Sequence, residues 1–155
     1  MTSLKRRLPP KAIKITTKTR ARAKHAFLAP EGVRVELAEL GKPYDVQAGK
    51  VIFSKGEPSQ GVFLIERGRV ALSAGDDPTR ITRIAEAGSL LGLPATVTGR
   101  SYSLTAEAVA NTRFIRVGIA EFKQLLRKNP TLCYSVIGML AEEITALRRA
   151  AVYSL

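Results

Sequence analysis

The stretch Ala48-Gly49-Lys50-Val51-Ile52-Phe53-Ser54-Lys55-Gly56-Glu57-Pro58, continued by Val62-Phe63-Leu64-Ile65-Glu66-Arg67-Gly68-Arg69-Val70, decides how this chain is read. Val51 to Phe53, Val62 to Ile65 and Val70 to Leu72 are short apolar runs rich in β-branched and aromatic residues, the signature of short strands. Gly49 stands before them and Gly56, Gly61 and Gly68 stand between them, where the chain must turn and lack of a Cβ would be useful. Outward from this stretch, Ile81 to Ile84 and Phe114 to Val117 repeat the pattern, and Gly75 and Gly88 continue the punctuation. Regular short strands with glycine turns predict a mainly β fold, a roll or barrel and not a parallel sheet.

Helices are expected on both flanks. Residues 31–40 carry Val33, Val35, Leu37, Ala38 and Leu40 in a partial helical stripe, and Gly41 stands where a helix usually stops. Ile119 to Arg127 reads as a short amphipathic helix, and Asn129-Pro130 supplies an N-cap and a first helical position for a longer helix over residues 129–155. In that long helix Ile137, Leu140, Ile144, Leu147 and Ala151 alternate steps of three and four, a heptad-like seam flanked by Glu142, Glu143, Arg148 and Arg149. Two readings stay open: a homodimer through Ile137, Leu140, Ile144 and Leu147, or a helix that folds back on its own roll as a lid.

The chain has 155 residues, 45% of them hydrophobic, which suits one domain with one core. Its formal charge of +12 is unevenly placed. Residues 1–30 hold nine Lys or Arg and no acid, leaving sixteen basic against thirteen acidic residues beyond. That segment reads as a disordered basic arm, and the folded domain as residues 31–155. Weak, salt-sensitive association of the arm with polyanions is one expectation; a solubilising tail without a partner is the other. Cys133 is the one cysteine and His25 the one histidine, so disulfides, cysteine-rich zinc sites and histidine-based triads are excluded by counting. No catalytic residue and no metal ligand is assigned, and Asp76-Asp77 beside Gly75 and Pro78 reads as turn chemistry. No apolar run approaches the roughly 20 residues that span a bilayer, and the expected location is the cytoplasm.

The quoted stretch resembles the front half of cyclic nucleotide-binding domains, which carry glycines at the turns held here by Gly49, Gly56 and Gly68. Gly88-Ser89-Leu90-Leu91-Gly92-Leu93-Pro94-Ala95 and Tyr102-Ser103-Leu104-Thr105-Ala106-Glu107-Ala108 resemble the family's phosphate-binding cassette. Phe114 to Val117, Phe122 to Leu126 and Asn129-Pro130 are similar to its last strand and closing helices, so the likeness spans about residues 31–153. It implies an eight-stranded β-roll, or jelly roll, with one helix before it and two after. It also implies a regulatory, signal-transducing sensor that is not an enzyme. Regulators resembling catabolite activator protein append a helix-turn-helix; only Ser154 and Leu155 follow Tyr153, so no sequence-specific DNA binding is expected.

In members that bind cyclic AMP or cyclic GMP, backbone N–H groups and an arginine hold the phosphate while a glutamate accepts the ribose hydroxyl. Aligned on this chain, the glutamate position is Leu93 and the arginine position is Tyr102, and Pro94 removes a backbone donor. The ligand site implied by the resemblance comprises Leu91, Gly92, Leu93, Pro94, Ala95, Arg100, Tyr102, Ser103 and Leu104. Losing two charge-assisted contacts costs roughly 3 to 6 kcal/mol, which argues for a degenerate cassette working through another small ligand or an unidentified protein effector. The alternative is a genuine cyclic nucleotide sensor using Arg100, Ser103 and backbone donors. An enzyme on a similar roll is the remaining alternative, disfavoured by the missing histidines.

Overall fold

The computed structural model describes residues 27–75 and 81–153. The basic arm up to residue 26 and the Asp76-Asp77 turn lie outside the described residues. In chain order the elements are α1 (Glu31–Leu40), β1 (Lys42–Val46), β2 (Val51–Phe53), β3 (Val62–Arg67), β4 (Arg69–Ser73), β5 (Ile81–Glu86), β6 (Leu90–Leu91), α2 (Leu93–Thr98), β7 (Thr105–Ala108), β8 (Thr112–Val117), α3 (Ile119–Lys128) and α4 (Pro130–Tyr153). The strands form two four-stranded sheets, ordered β1-β8-β3-β6 and β2-β7-β4-β5, with every pairing antiparallel. This is the expected β-roll with one helix before it and two after.

Strand β3 explains how two cores share one wall. Successive side chains of a strand point to opposite faces. Val62 and Leu64 pack toward the helices with Val33, Leu37, Phe122, Leu132, Val136 and Met139, whereas Phe63 and Ile65 point into the roll with Phe53, Leu72, Leu91, Tyr102 and Phe114. The unbroken apolar run from Val62 to Ile65 is therefore a strand covered on both faces. β6 splits in the same way, Leu90 toward the helices and Leu91 inward.

β1 carried no apolar signal. Its five residues Lys42 to Val46 are exposed or half-buried, and Pro43 sits in it opposite Ile115. An edge strand tolerates a proline because one side of its ladder is unpaired. Pairing with β8, the ion pair of Asp45 with Arg113 at 3.0 Å and the stacking of Tyr44 on Phe114 hold it.

The helices follow their apolar faces. Val33 and Leu37, four residues apart, are the buried face of α1, while Val35 and Leu40 are exposed. Gly41 ends α1 as expected, its N–H donating to the Leu37 carbonyl at 2.9 Å, but in an extended conformation and not a left-handed one. Glycine is needed there for close approach, since a Cβ would run into the side chain of Ile115 and the carbonyl of Arg116. The Asn129 side-chain oxygen accepts from the Leu132 N–H at 3.0 Å, capping α4 with Pro130 in its first turn. No helix among the described residues is long and apolar enough to cross a membrane.

Candidate functional site

The cassette begins where β6 leaves the first sheet. Gly92 turns the chain in a left-handed conformation, φ 79°, and α2 starts at the next residue. A hydrogen-bond relay fixes this turn: the Gly61 N–H donates to the Ser59 hydroxyl at 3.2 Å, the Ser59 and Thr96 hydroxyls bond at 2.9 Å, and the Thr96 hydroxyl donates to the Gly92 carbonyl at 2.8 Å. Gly61 itself has φ 122°, and a Cβ there would meet the carbonyl of Val117. The far end of the cassette is stitched to the β2–β3 loop, with the Gly56 N–H donating to the Tyr102 carbonyl at 2.8 Å and the Tyr102 N–H donating to the Glu57 carbonyl at 2.9 Å.

Tyr102 and Leu93, the two positions that the resemblance implies as anchors, do different things. Tyr102, 3% exposed, lies inside the roll with its ring stacked on Phe53 at 4.1 Å. Its hydroxyl donates to the Gly61 carbonyl at 3.0 Å and accepts from the Gln60 N–H at 2.8 Å. Leu93, 2% exposed, packs on the helix side of the first sheet with Val33, Phe122 and Leu132. It belongs to the core between sheet and helices and does not line the cavity beside the cassette.

That cavity has a volume of about 230 Å³ and lies between the roll and α4. Leu91, Gly92, Pro94, Ala95, Tyr102, Ser103 and Leu104 of the implied ligand site line it together. Arg100 is exposed after the end of α2 and, like Leu93, is not among the lining residues.

Two charged lining residues escaped the sequence reading. Arg83 on β5 pairs in register with Leu72, so both side chains share the inner face of the second sheet. Its guanidinium lies over the Phe27 ring, 5.4 Å from the centroid. Glu143 enters from α4, three and a half turns after Pro130 opens the helix, on the stripe that already carries the buried Val136 and Met139. Burial pushes the Glu143 carboxyl up from 4.5 to about 7, outweighing the opposing pull of the Arg83 charge. Strand alternation was the signal for Arg83, since it shares a face with the buried Ala85. For Glu143 the expectation of a position flanking an outer seam is corrected here: the residue faces the cavity.

The seam residues also divide. Ile137 and Ile144 are exposed, at 56% and 52%, whereas Leu140 packs against its own core. The side chain of Leu147 lies outside the described ones. Among the described residues no group of three or more His, Cys, Asp or Glu is placed to hold a metal ion.

The family model of the cyclic nucleotide-binding domain matches residues 44–129. The chain is 28% identical over 102 residues to a cyclic nucleotide-gated potassium channel of Rhizobium etli, a match covering 66% of this chain and 28% of the channel. Among solved structures it is similar to the catabolite activator protein of Thermus thermophilus, at 26% identity and a TM-score of 0.67, over 81% of this chain and 58% of that one. It shares the fold of oxidized CprK, solved in complex with o-chlorophenolacetic acid, at 15% identity and a TM-score of 0.68, over 86% of this chain and 56% of that one. The chain thus spans little more than a quarter of the channel and somewhat over half of these two solved chains. With two four-stranded sheets, a cassette between β6 and β7 and a family match over more than half of its residues, the chain belongs to the cyclic nucleotide-binding domain family.

Proposed function

We propose that this domain is a ligand-responsive regulatory module, in which occupancy of the cavity between roll and α4 sets the position of α4. One observation carries this: Glu143 of α4 lines the same cavity as the cassette residues Gly92, Ala95 and Ser103. Whatever enters must either pair with that carboxyl or push it aside, and either outcome acts on the helix. The outer face of α4, with Ile137 and Ile144 exposed, is then the surface through which a second copy or an effector reads the state.

Two readings of the ligand follow from different observations. Family membership and the likeness to a cyclic nucleotide-gated channel favour a cyclic nucleotide, held by Arg83, Ser103 and backbone donors in place of the aligned arginine. The hydroxyl of Tyr102, already committed to Gly61 and Gln60, favours a cassette that has left nucleotides behind.

Calorimetry with cyclic AMP and cyclic GMP separates the two. A dissociation constant at or below about 10 μM establishes the nucleotide reading, and none up to about 1 mM establishes the other. The module reading itself is tested by hydrogen exchange over residues 139–147. If no nucleotide, aromatic acid or neutral aromatic compound alters exchange there or shifts the melting temperature, the cavity is not a sensor.

A further inference from the structure

We propose that the ligand suited to this cavity is a small aromatic carboxylate, its carboxylate paired with Arg83 and its ring enclosed among Phe27, Phe53 and Leu104. The inference rests on the module reading above and adds the ligand's chemical class.

Size is the first argument. Pockets for drug-sized ligands run from roughly 300 to 1,000 Å³. The cavity here, at about 230 Å³, falls below that range and suits one ring with a short acidic arm better than a base, ribose and phosphate together.

The lining is the second. Phe27, Phe53, Leu72, Leu91, Ala95 and Leu104 supply apolar wall. The Tyr102 hydroxyl is turned to backbone partners at Gly61 and Gln60, which leaves its ring as its contribution to the wall.

Charge is the third. Among the described lining residues Arg83 is the one whose positive charge is permanent, and a guanidinium offers a planar fork that matches a carboxylate through two parallel hydrogen bonds. Its seat over the Phe27 ring holds it at the apolar wall, where an anion with an aromatic body meets both. Glu143 lines the same cavity from α4. Its carboxyl is held protonated to near neutrality by burial, so it does not compete as a strong anion and can donate a hydrogen bond to an incoming carboxylate.

The test is calorimetry on the full chain at about pH 6.5 with phenylacetate, its neutral isostere phenylacetamide, inorganic phosphate and cyclic AMP, backed by hydrogen exchange over residues 139–147. Phenylacetate is expected to bind, phenylacetamide to bind at least about tenfold more weakly, and phosphate not to compete. Arg83→Gln is expected to weaken phenylacetate by about tenfold or more, Arg83→Lys by less, and Arg100→Gln not at all. The comparison of phenylacetate with phenylacetamide uses the unaltered protein, so it stands even if a variant at Arg83 fails to fold. Equal affinity for acid and amide, no phenylacetate binding up to about 5 mM, or unchanged binding by a folded Arg83→Gln protein overturns the proposal. If cyclic AMP then binds and alters exchange in α4, only the ligand class has failed; if no probe does either, the module reading fails with it.

Discussion

The hydroxyl of Tyr102 donates to the carbonyl of Gly61 at 3.0 Å, across 41 residues of chain. The same oxygen accepts from the Gln60 N–H at 2.8 Å, so one phenol ties the end of the cassette to the entry of β3. At the position that the resemblance matches to the family's phosphate-binding arginine, this chain has a structural tie. Tyr102→Phe keeps the stacking on Phe53 and leaves the buried Gly61 carbonyl without that donor. It is expected to cost about 1 to 3 kcal/mol of stability, read by urea denaturation. A loss under about 0.3 kcal/mol would show that the loop finds other partners.

Leu93 gives the second prediction. Because it packs with Phe122 and Leu132 on the helix side, a glutamate introduced there places a carboxylate in an apolar core. Leu93→Ala is expected to lose about 2 to 5 kcal/mol, and Leu93→Glu at least as much, with no gain in affinity for cyclic AMP. A Leu93→Glu protein of unaltered stability that bound the nucleotide would mean that this residue reaches the cavity after all.

Much of the fold was legible because its strands are apolar runs bounded by glycines, and Val62 to Ile65 announced a strand whatever it packed on. β1 was not legible: Lys42, Pro43 and Asp45 carry no strand propensity, and only pairing with β8 makes them one. The cassette could be located from Gly88 and Gly92, but not the direction of its side chains, since Leu93 and Pro94 are neighbours that face different volumes. Arg83 and Glu143 stayed hidden because a charged residue in a strand or helix ordinarily marks the solvent face. The stripe on α4 misled for a related reason. A helix that is apolar on its inner face through Leu132, Val136 and Met139, and on its outer face through Ile137 and Ile144, fits more than one seam.

Glu143 makes stability depend on pH. The folded protein holds its proton up to about 7, whereas the unfolded chain releases it near 4.5. Between these values the folded state binds more protons, so the contribution of this group is full below 4.5 and is lost as pH rises through about 7. Among the described residues Arg83 from β5 is the charged group facing it, and its attraction reduces the effect without reversing it. Glu143→Gln removes the titration. The variant is expected to gain on the unaltered protein by as much as a few kcal/mol between about pH 5 and pH 8, measured by urea denaturation at several pH values. A difference that stays constant across that range would count against a desolvated carboxyl.

The outer face of α4 carries the last prediction. Tyr134, Ile137 and Ile144 are 79%, 56% and 52% exposed, and with the exposed Ala141 they fall at steps of three, four and three. That spacing keeps one apolar stripe in line along a helix, the pattern by which two helices pack on each other. Leu140, whose side chain packs against its own core, belongs to the other side. We therefore expect a homodimer through Tyr134, Ile137 and Ile144, with a seam turned slightly from the one that includes Leu140. The two seams predict opposite results for the same kind of substitution. Ile137→Asp with Ile144→Asp should give a folded monomer, because both side chains already meet solvent within one chain. Leu140→Asp should instead unfold the protein, because it puts an unpaired charge against the core. Sedimentation at several concentrations decides the first and circular dichroism the second. An unaltered protein that remains monomeric at about 100 μM removes the dimer, since that lies two decades above the roughly micromolar affinity such a stripe should reach.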